Sequence, residues 1–489
     1  MSYNVQQEDI DILFQQNLNI EIKIEILNEN KKIINELQAD TISGSISEDA
    51  NSDVRRTANL TFHLINDSYL IGEDKNIWFT RYIRPIVKIK NSRTKNFRSY
   101  NLGIFLFNET SYTYDEVTQN LSVNCLDLMC NLNGTMNGQF RGLDTKIPVD
   151  SDIRQTLTSI LEQFGKIKEY SIDDINKEIP YDLQFSSEST VYELLNKIRD
   201  LYSGWEFYFD ENGVFVYKKI PTLKDDNIVL DSVIMNRLVK SVSASIKMEN
   251  VRNVIDLWGK CLKADRYTDT STYSNNTYSI TFDNFILDNN MLIGFKVLND
   301  SPSSSLKIND LSAYPIQNED GSFVNLESGK SYVVKYKNNV FYYQGEYQIH
   351  YIVKEVSQEP TIEQKQNDYN YEGTKNIEYL INKDSPFTVD KIKEKRKKCV
   401  GNDYDKIYTE DLARQRAEYE LWKSTRLEET LNIQMLLVPW LNVNQKIEYT
   451  FNGITSQYII KKVDKDFTNW MQSVELIKFY PLYPFIVDE

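Results

Sequence analysis

The first part of the chain alternates apolar and polar residues, a pattern typical of β-strands with one buried face. From residue 18 to residue 26, Leu or Ile occupies every second position, and Asn, Glu or Lys occupies the positions between them. Residues 56–64 alternate in a similar way. Because successive side chains of a strand point to opposite faces, both stretches predict strands that cover a core. Helical spacing is scarce here, and residues 1–145 are predicted to form a β domain.

Two stretches with apolar residues at intervals of three and four positions follow, and they predict helices. Ser151 or Asp152 is placed to cap the first helix, and Ser189 or Thr190 the second, since such side chains accept hydrogen bonds from the first amides of a helix. Two alternating segments joined by an Asn-Gly turn come next and predict a hairpin. Residues 146–222 are therefore predicted to form a helix–hairpin domain.

The remainder of the chain is predicted as mostly strands, interrupted by one clear helix. A polar stretch followed by new strands predicts an inserted β module at residues 265–356. A helix capped by Thr409 precedes strands that turn at Asn452-Gly453. Residues 223–264 and 357–489 are predicted to form a second β domain that includes this capped helix. The predicted fold class is α+β and strand-rich.

Length and charge narrow the class of protein. A chain of 489 residues is too long for one core, and about three or four domains are expected. The net charge of −15 repels phosphates, so no sequence-specific nucleic acid binding is predicted, although such a surface could line a pore without retaining DNA. The longest apolar run, residues 435–441, is too short to span a bilayer, and no membrane insertion is predicted. The first residues do not resemble a secretory signal, which predicts synthesis in the cytoplasm.

Residues suited to catalysis or metal binding are few. His63 lies on the polar face of an alternating strand with no nucleophile nearby, and His350 lies in another strand-like stretch, so a structural role is predicted for each. Cys125 and Cys130 lack a second pair of ligands, and no phosphate-binding glycine motif is present. The sequence predicts no enzyme activity, catalytic residue, cofactor or metal. The carboxylate pair of a glycosidase stays open, because 71 Asp and Glu residues offer many candidates.

Two surface features could contact a partner. The basic run Lys391–Lys398 could meet DNA, a membrane or an acidic neighbouring subunit, but a solvated helix face or linker is the favoured interpretation. Aromatic residues of the inserted module could form a patch that contacts a partner or a glycan, although such residues more often form the core of a hairpin. These residues are Tyr336, Phe341, Tyr342 and Tyr343.

Several motifs, in order along the chain, carry a resemblance to one protein family. They are Gly44-Ser-Ile-Ser-Glu-Asp, Arg55-Arg-Thr-Ala-Asn-Leu, Tyr192-Glu-Leu-Leu, Trp205-Glu-Phe-Tyr-Phe-Asp-Glu-Asn-Gly-Val, Asn250-Val-Arg-Asn-Val-Ile-Asp-Leu-Trp-Gly, Ser385-Pro-Phe, Tyr404-Asp-Lys-Ile-Tyr-Thr-Glu-Asp-Leu-Ala-Arg-Gln-Arg-Ala, Val438-Pro-Trp-Leu-Asn-Val-Asn and Phe479-Tyr-Pro-Leu-Tyr-Pro. The set resembles the tail and baseplate hub proteins of Gram-positive phages and prophages. It is also similar to the baseplate hub of contractile phages and to the hub part of valine-glycine-repeat spike proteins.

The resemblance implies a structural protein rather than an enzyme. Family hubs are homotrimers in which each chain supplies two tube-like β domains, so that the ring adapts a six-fold tail tube to a three-fold central spike and lines the ejection channel. The implied partners are the tail tube ring above, the spike below, and baseplate wedge or peripheral proteins. The implied location is the tail baseplate of a virion, or a phage-like bacteriocin particle, made in the cytoplasm of a host bacterium.

The inserted module at residues 265–356 departs from the family pattern, and it is expected on the outside of the ring. Two alternatives to the hub stay open. One is a tail-associated cell-wall hydrolase, and the other is a receptor-binding adhesin that acts through the insert.

Overall fold

The structure is a computed structural model that describes residues 5–37, 39–64, 71–108, 113–115, 117, 120–140, 145–179, 183–202, 204–222, 225–401, 404, 407, 409–425 and 427–479. Strands make up 44% of the chain and helices 16%, which confirms the predicted strand-rich α+β class. Residues 480–484 of the last quoted motif, and residues 405, 406 and 408 of the motif that begins at Tyr404, lie outside the described residues.

The helices are mostly short. They are α1 (Gln7–Leu13), α2 (Ile153–Ser159), which continues as a π-helical turn (Ile160–Phe164), α3 (Val191–Arg199), α4 (Ser232–Leu238), α5 (Ile362–Glu372), α6 (Val389–Ile392) and α7 (Glu410–Ser424), and a 3-10 helix covers Leu128–Asn131.

Most of the ordered chain is strand. The strands are β1 (Ile20–Leu27), β2 (Ile33–Glu36), β3 (Ala39–Asp49), β4 (Arg56–Leu64), β5 (Tyr82–Lys90), β6 (Phe97–Asn101), β7 (Phe105–Phe107), β8 (Thr113–Asp115), β9 (Asn120–Asp127), β10 (Thr145–Ile147), β11 (Tyr170–Ile172), β12 (Leu183–Phe185), β13 (Trp205–Phe209), β14 (Phe215–Lys219), β15 (Ile228–Leu230), β16 (Val239–Lys247), β17 (Val254–Cys261), β18 (Arg266–Thr268), β19 (Thr272–Ser274), β20 (Thr277–Ile280), β21 (Leu292–Lys296), β22 (Ser305–Ile308), β23 (Tyr314–Gln317), β24 (Ser331–Lys337), β25 (Val340–Glu346), β26 (Gln348–Val356), β27 (Ile377–Ile381), β28 (Arg396–Cys399), β29 (Glu428–Leu436), β30 (Lys446–Phe451), β31 (Ile454–Asp466) and β32 (Met471–Lys478).

The chain divides into two compact units. The first unit contains residues 1–246 and 428–481, and the second contains residues 247–427 and 482–489. The boundaries therefore differ from the predicted domains, since the segment after residue 427 belongs with the N-terminal half of the chain.

One 15-stranded sheet dominates the first unit. Its main path runs β16-β29-β32-β31-β3-β4-β9-β7-β5-β1-β2. The N-terminal half supplies the strands from β3 to β2 along this path, and the C-terminal half supplies β29, β32 and β31. The end strand β16 comes from the middle of the chain. An antiparallel ladder between β3 and β31, with Ser45 opposite Asp466 and Asp49 opposite Lys462, joins the two halves. Strands more than four hundred residues apart in sequence thus become neighbours.

The alternation seen in the sequence accounts for one face of this sheet. In β4, Ala58, Leu60 and Phe62 are buried, whereas Asn59 between them is exposed. The predicted strands therefore exist, and their apolar positions point into a core that the C-terminal half shares through residues such as Leu431 and Leu476. Burial of such side chains stabilises the fold by about 1.5–3 kcal/mol each.

The helix–hairpin segment belongs to the same unit. Asp152 caps α2 by accepting a hydrogen bond from the backbone of Gln155 at 2.7 Å, and Thr190 forms a capping box with Glu193 at the start of α3. The hairpin of β13 and β14 turns at Gly213, whose φ of +74° suits glycine. The core of this segment also includes Leu27, Ile104 and Leu106 of the N-terminal sheet.

The second unit is built on the four-stranded sheet β27-β26-β17-β28 and carries the insert. Helix α7, capped by Thr409, packs Ala413, Ala417 and Leu421 against the core of this sheet. An eight-stranded set, β18 to β25, forms the insert around its own core. It leaves and rejoins the sheet at adjacent positions, where the amide of Leu262 donates to the carbonyl of Tyr347 at 2.7 Å.

The basic run at 391–398 is not one solvated helix face or linker, which corrects the favoured interpretation: Lys391 and Ile392 end α6, and only residues 393–395 are irregular. Its second half forms β28, which pairs in parallel with β17. Arg396 forms an ion pair with Glu372, and Lys397 contacts Glu420 at 2.6 Å. Apart from Glu394, which contacts Arg396 at 2.6 Å, the carboxylates that neutralise these cations come from segments distant in sequence, so the local pattern could not reveal them.

Candidate functional site

The outward face of the large sheet carries short polar side chains. They occupy the positions that alternate with the core residues, and the strand registers place them side by side. On the N-terminal half they are Ser43, Ser45, Ser47, Thr57, Asn59, Thr61, Ser122 and Asn124.

The same surface continues on the C-terminal half. The register places Asp464 opposite Ser47, Ser473 opposite Asp464, and Gln434 opposite Ser473. Asp466 and Asn432 lie on this side as well. These five residues and the eight of the N-terminal half are here termed the polar face. It runs unbroken from β9 to β29, across the junction of the two halves.

Hydrogen bonds between strands hold the polar face in place. The hydroxyl groups of Thr61 and Ser122 are 3.0 Å apart, and Ser47 donates to Asp464 at 2.5 Å. Ser473 donates to the other oxygen of Asp464 at 3.3 Å. None of the thirteen residues of the polar face is cationic or aromatic, and Lys462 beside them contacts Asp464 at 3.4 Å. The polar face therefore offers a phosphate chain few ion pairs and no stacking contacts.

A buried charge cluster lies on the opposite, core side of the same strands. Glu48 of β3 and Arg56 of β4 form an ion pair, and each is only 1% exposed. Arg56 also donates to the carbonyl of Phe209 at 2.5 Å, and Glu48 accepts from the amide of Val443 at 3.1 Å. One ion pair thus connects the N-terminal strands to the helix–hairpin segment and to the loop before β30.

A second buried pair repeats these connections. Arg55 contacts Glu206 of β13 at 2.6 Å, and Asn444 donates to the same carboxylate oxygen at 2.6 Å. The guanidinium of Arg55 also lies 4.1 Å from the ring centre of Tyr208. Lys465 of β31 adds a further buried cation. These residues and the pair Glu48–Arg56 are here termed the buried charge cluster.

The electrostatics show how the buried charge cluster is balanced. Burial raises the pKa of Glu48, but Arg56 and Lys465 outweigh this effect and hold it below its usual value. Burial lowers the pKa of Lys465 to about 8, although Glu48 opposes the shift. Burial raises the pKa of Asp127, which accepts the amide of Arg56, to about 6. The positions of these charges therefore depend on one another.

Four of the quoted motifs meet in this cluster. Glu48 comes from the motif that begins at Gly44, the two arginines from the motif at Arg55, and Glu206 from the motif at Trp205. Asn444 comes from the motif that begins at Val438. One signal of this arrangement is visible in the sequence, since Arg56 and Glu48 occupy alternating positions that are otherwise apolar. The convergence itself depends on tertiary structure.

The aromatic residues proposed for partner or glycan contact lie around the core of the insert. Phe341 is completely buried, so its ring is not available to a ligand. Tyr336 is half-buried, packs on Phe341 at 5.2 Å between ring centres, and donates to Asn339. Tyr343 packs against that core and Tyr342 is half-buried. Ligand contact by the three tyrosines stays a prediction.

Both histidines lie in strands, as expected. His63 on β4 lies 3.3 Å from the amide oxygen of Asn120, and His350 on β26 contacts Asp256 at 2.8 Å and stacks on Trp258. In the described part of the chain, no three His, Cys, Asp or Glu side chains come together in a way that could hold a metal ion. None of the helices described above has the length and apolar character that crossing a membrane requires.

Solved structures similar to this chain include tail proteins of prophages. The prophage MuSo2 43 kDa tail protein from Shewanella oneidensis is 12% identical with a TM-score of 0.45, and the similarity covers 94% of this chain and 98% of that one. A prophage tail protein from Listeria monocytogenes is 11% identical with a TM-score of 0.44, covering 93% and 94%.

A tail protein from Neisseria meningitidis MC58 is 8% identical with a TM-score of 0.46, and the similarity covers 94% of this chain and 98% of that one. All three structures are described as tail proteins. A family described as a domain of unknown function (DUF5048) matches residues 384–483. No curated protein sequence matches the chain.

Proposed function

We propose that the chain is a structural hub subunit of a phage-type tail baseplate, with a scaffolding rather than a catalytic role. Three copies form a ring, and their polar faces line the channel. The observation that carries this proposal is the unbroken polar face, which extends over strands from both ends of the sequence. A surface of short hydroxyl, amide and carboxylate side chains lets a nucleic acid or protein pass without binding it.

The division of the sheet into two halves supports a ring of three copies. Each chain supplies one N-terminal and one C-terminal half, and both halves present the polar face on the same side of a single sheet. Three chains then supply six halves around one axis, which suits an adaptor between a six-fold tube and a three-fold spike. The tube-like character of each half is part of this proposal.

The buried charge cluster gives such a ring its rigidity. It fixes β3, β4 and β31 to the hairpin of β13 and β14, on the side of the sheet opposite the polar face. The channel wall is therefore backed by the helix–hairpin segment. Under this proposal the partners are the tail tube ring, the central spike and the wedge or peripheral proteins of the baseplate. The particle is a virion or a phage-like bacteriocin, which ejects its contents after puncturing the host cell.

Cysteine labelling in the assembled ring tests which face lines the channel. The background variant is Cys261→Ser, which removes the exposed thiol and leaves three buried cysteines. Asn59→Cys and Ser122→Cys place thiols on the polar face, and Glu188→Cys places a control thiol on the helix–hairpin segment. We expect a small maleimide to label all three positions in the ring. A maleimide on a long polyethylene glycol chain should label only residue 188 rapidly.

The unfolded chain is the reference, in which both reagents should reach every thiol. Equal labelling of residues 59, 122 and 188 by the large reagent in the assembled ring would place the polar face outside and refute the channel assignment.

A further inference from the structure

A cavity of about 190 Å³ lies in the first unit, beside the buried charge cluster. It is enclosed by the end of β6, the turn between β13 and β14, and the loop before β30. The volume equals that of about six water molecules, so the cavity can admit one side chain of another protein. The residues that line it include Tyr100, Asn101, Glu211, Asn212, Trp440 and Asn442.

Glu211 is the only charged residue of this lining, and it is 9% exposed. Within the described part of the chain, only its own amide hydrogen-bonds to its carboxylate, and no Lys, Arg or His lies within ion-pair distance. Buried polar groups of folded proteins are almost always paired. A buried carboxylate that faces a cavity without a partner is therefore typical of a binding site.

The cations nearest to Glu211 have other partners. Arg56 pairs with Glu48 and donates to a backbone carbonyl, and Lys465 also interacts with Glu48. Burial raises the pKa of Glu211, and Arg56 opposes this effect only in part. The neighbouring carboxylates of Asp210 and Glu48 raise it further. The surroundings of Glu211 thus lack a matching cation, and they favour one in the cavity.

Hydrogen-bond acceptors and aromatic rings complete the lining. The amide nitrogen of Asn101 donates to Asn212 at 2.8 Å, so its amide oxygen stays an acceptor. The hydroxyl of Tyr100 donates to Asp9 at 2.8 Å, and the rings of Tyr100 and Trp440 lie 5.1 Å apart between centres. A guanidinium group matches this lining, because its N–H groups suit carboxylate and amide oxygens and its flat face packs on aromatic rings.

We propose that the cavity binds the guanidinium group of an arginine from a partner protein, with Glu211 as its counter-ion. The amide oxygen of Asn101 accepts a further N–H group, and the rings of Tyr100 and Trp440 contact the plane of the guanidinium. The cavity lies within one chain, so this site does not depend on the ring proposed above. It gives the first unit an anchor point for a neighbouring protein beside the hairpin of β13 and β14.

Titration calorimetry of the full chain with N-acetyl-arginine amide tests the site, because the guanidinium is the only charge of this probe. We expect saturable binding that weakens at least about tenfold in Glu211→Gln, corresponding to about 1.4 kcal/mol. The matched control is Glu188→Gln, since Glu188 is exposed on the helix–hairpin segment, and it should bind as the unmodified chain does. The citrulline analogue, which carries a neutral urea group instead, should bind at least about tenfold more weakly than the arginine probe.

Urea denaturation separates a binding role of Glu211 from a structural one. Because folding raises the pKa of Glu211, its ionised form at pH 7 destabilises the folded chain. Glu211→Gln removes this charge and should unfold at the same urea concentration as the unmodified chain or at a higher one. A lower midpoint would show that Glu211 acts as a counter-ion of Arg56 and would refute the proposal.

The binding results are equally decisive. No saturable binding of the arginine probe, or equal binding in Glu211→Gln, would refute the site. Equal binding of the citrulline analogue would show that a neutral donor is sufficient and would refute the choice of a cation. Any of these results would leave the proposed ring intact, because the ring is tested by its copy number and by cysteine labelling.

Discussion

Burying the ion pairs of the first unit costs desolvation free energy, and removing one partner of a pair also destabilises the fold. Glu48 and Arg56 are removed from water, and each compensates the other together with backbone groups from two further segments. Removing one partner leaves an uncompensated charge in the core. Glu48 and Arg56 therefore contribute mainly by fixing the relative positions of the segments that meet there.

The variant Glu48→Gln should lower the free energy of unfolding of the first unit by about 3–5 kcal/mol, because Arg56 stays buried without its carboxylate. Urea denaturation followed by tryptophan fluorescence measures the loss. Glu21→Gln is the matched control, since Glu21 is half-exposed and lies 3.8 Å from Lys88. Its expected loss is below about 1 kcal/mol. Equal losses in the two variants would contradict a structural role for the buried pair.

Lys465 gives the stability a dependence on pH. Its pKa is about 8 in the folded chain, below the ordinary value of 10.5. Between these pH values the unfolded chain binds more protons than the folded one, so the contribution of this group to stability increases with pH. The free energy of unfolding of the protein relative to Lys465→Met should therefore rise from pH 8 to pH 10. A flat difference over that range would show that Lys465 keeps its ordinary pKa.

At the scale of elements, the sequence predicted the features that depend only on neighbouring residues, namely strand alternation and helix caps. The strands β1 and β4, the alternation of buried residues in β4, and the caps Asp152, Thr190 and Thr409 are all present in the structure. Each follows from side-chain period or from the hydrogen-bonding needs of a helix end. These features require no knowledge of the rest of the chain.

Features that depend on distant partners could not be predicted. The ladder of β3 with β31 joins strands whose local patterns are no different from those of other strands. Helix α7 and the strands after it were predicted to belong to one domain. In the structure the helix packs on β17 and β26, whereas β29 to β32 join the first unit. The cations of β28 looked solvated because Glu372 and Glu420 are remote in sequence.

Gly44 shows how one residue controls the pairing of two strands. Its φ is +127°, and a Cβ atom there would collide with the carbonyl oxygen of Asn59 on the neighbouring strand. Gly44→Ala should therefore destabilise the first unit by about 3 kcal/mol or more. Gly453→Ala is the control, since its φ is +80° but no atom lies within 4 Å, and it should cost about 1–2 kcal/mol. Thermal unfolding of both variants measures the difference, and identical shifts would contradict the close approach of β3 and β4.

At the scale of the whole molecule, the first unit and the insert have separate roles. The first unit combines a polar face, two sheet halves and a buried charge cluster that fixes them. The insert has its own core and is attached at adjacent positions of β17 and β26. Such an attachment lets a module be added without changing the sheet that carries it. The proposed ring depends on the first unit alone.

The central claim is that three copies form a ring with the polar face toward the axis. Electron cryo-microscopy of the purified assembly measures the copy number and the orientation of the sheet together. We predict three chains of 57.4 kDa each around a channel, with Ser45, Asn59 and Asp464 at its wall. Assembled particles that contain a single copy, or a ring with these three residues on its outer surface, would contradict the account.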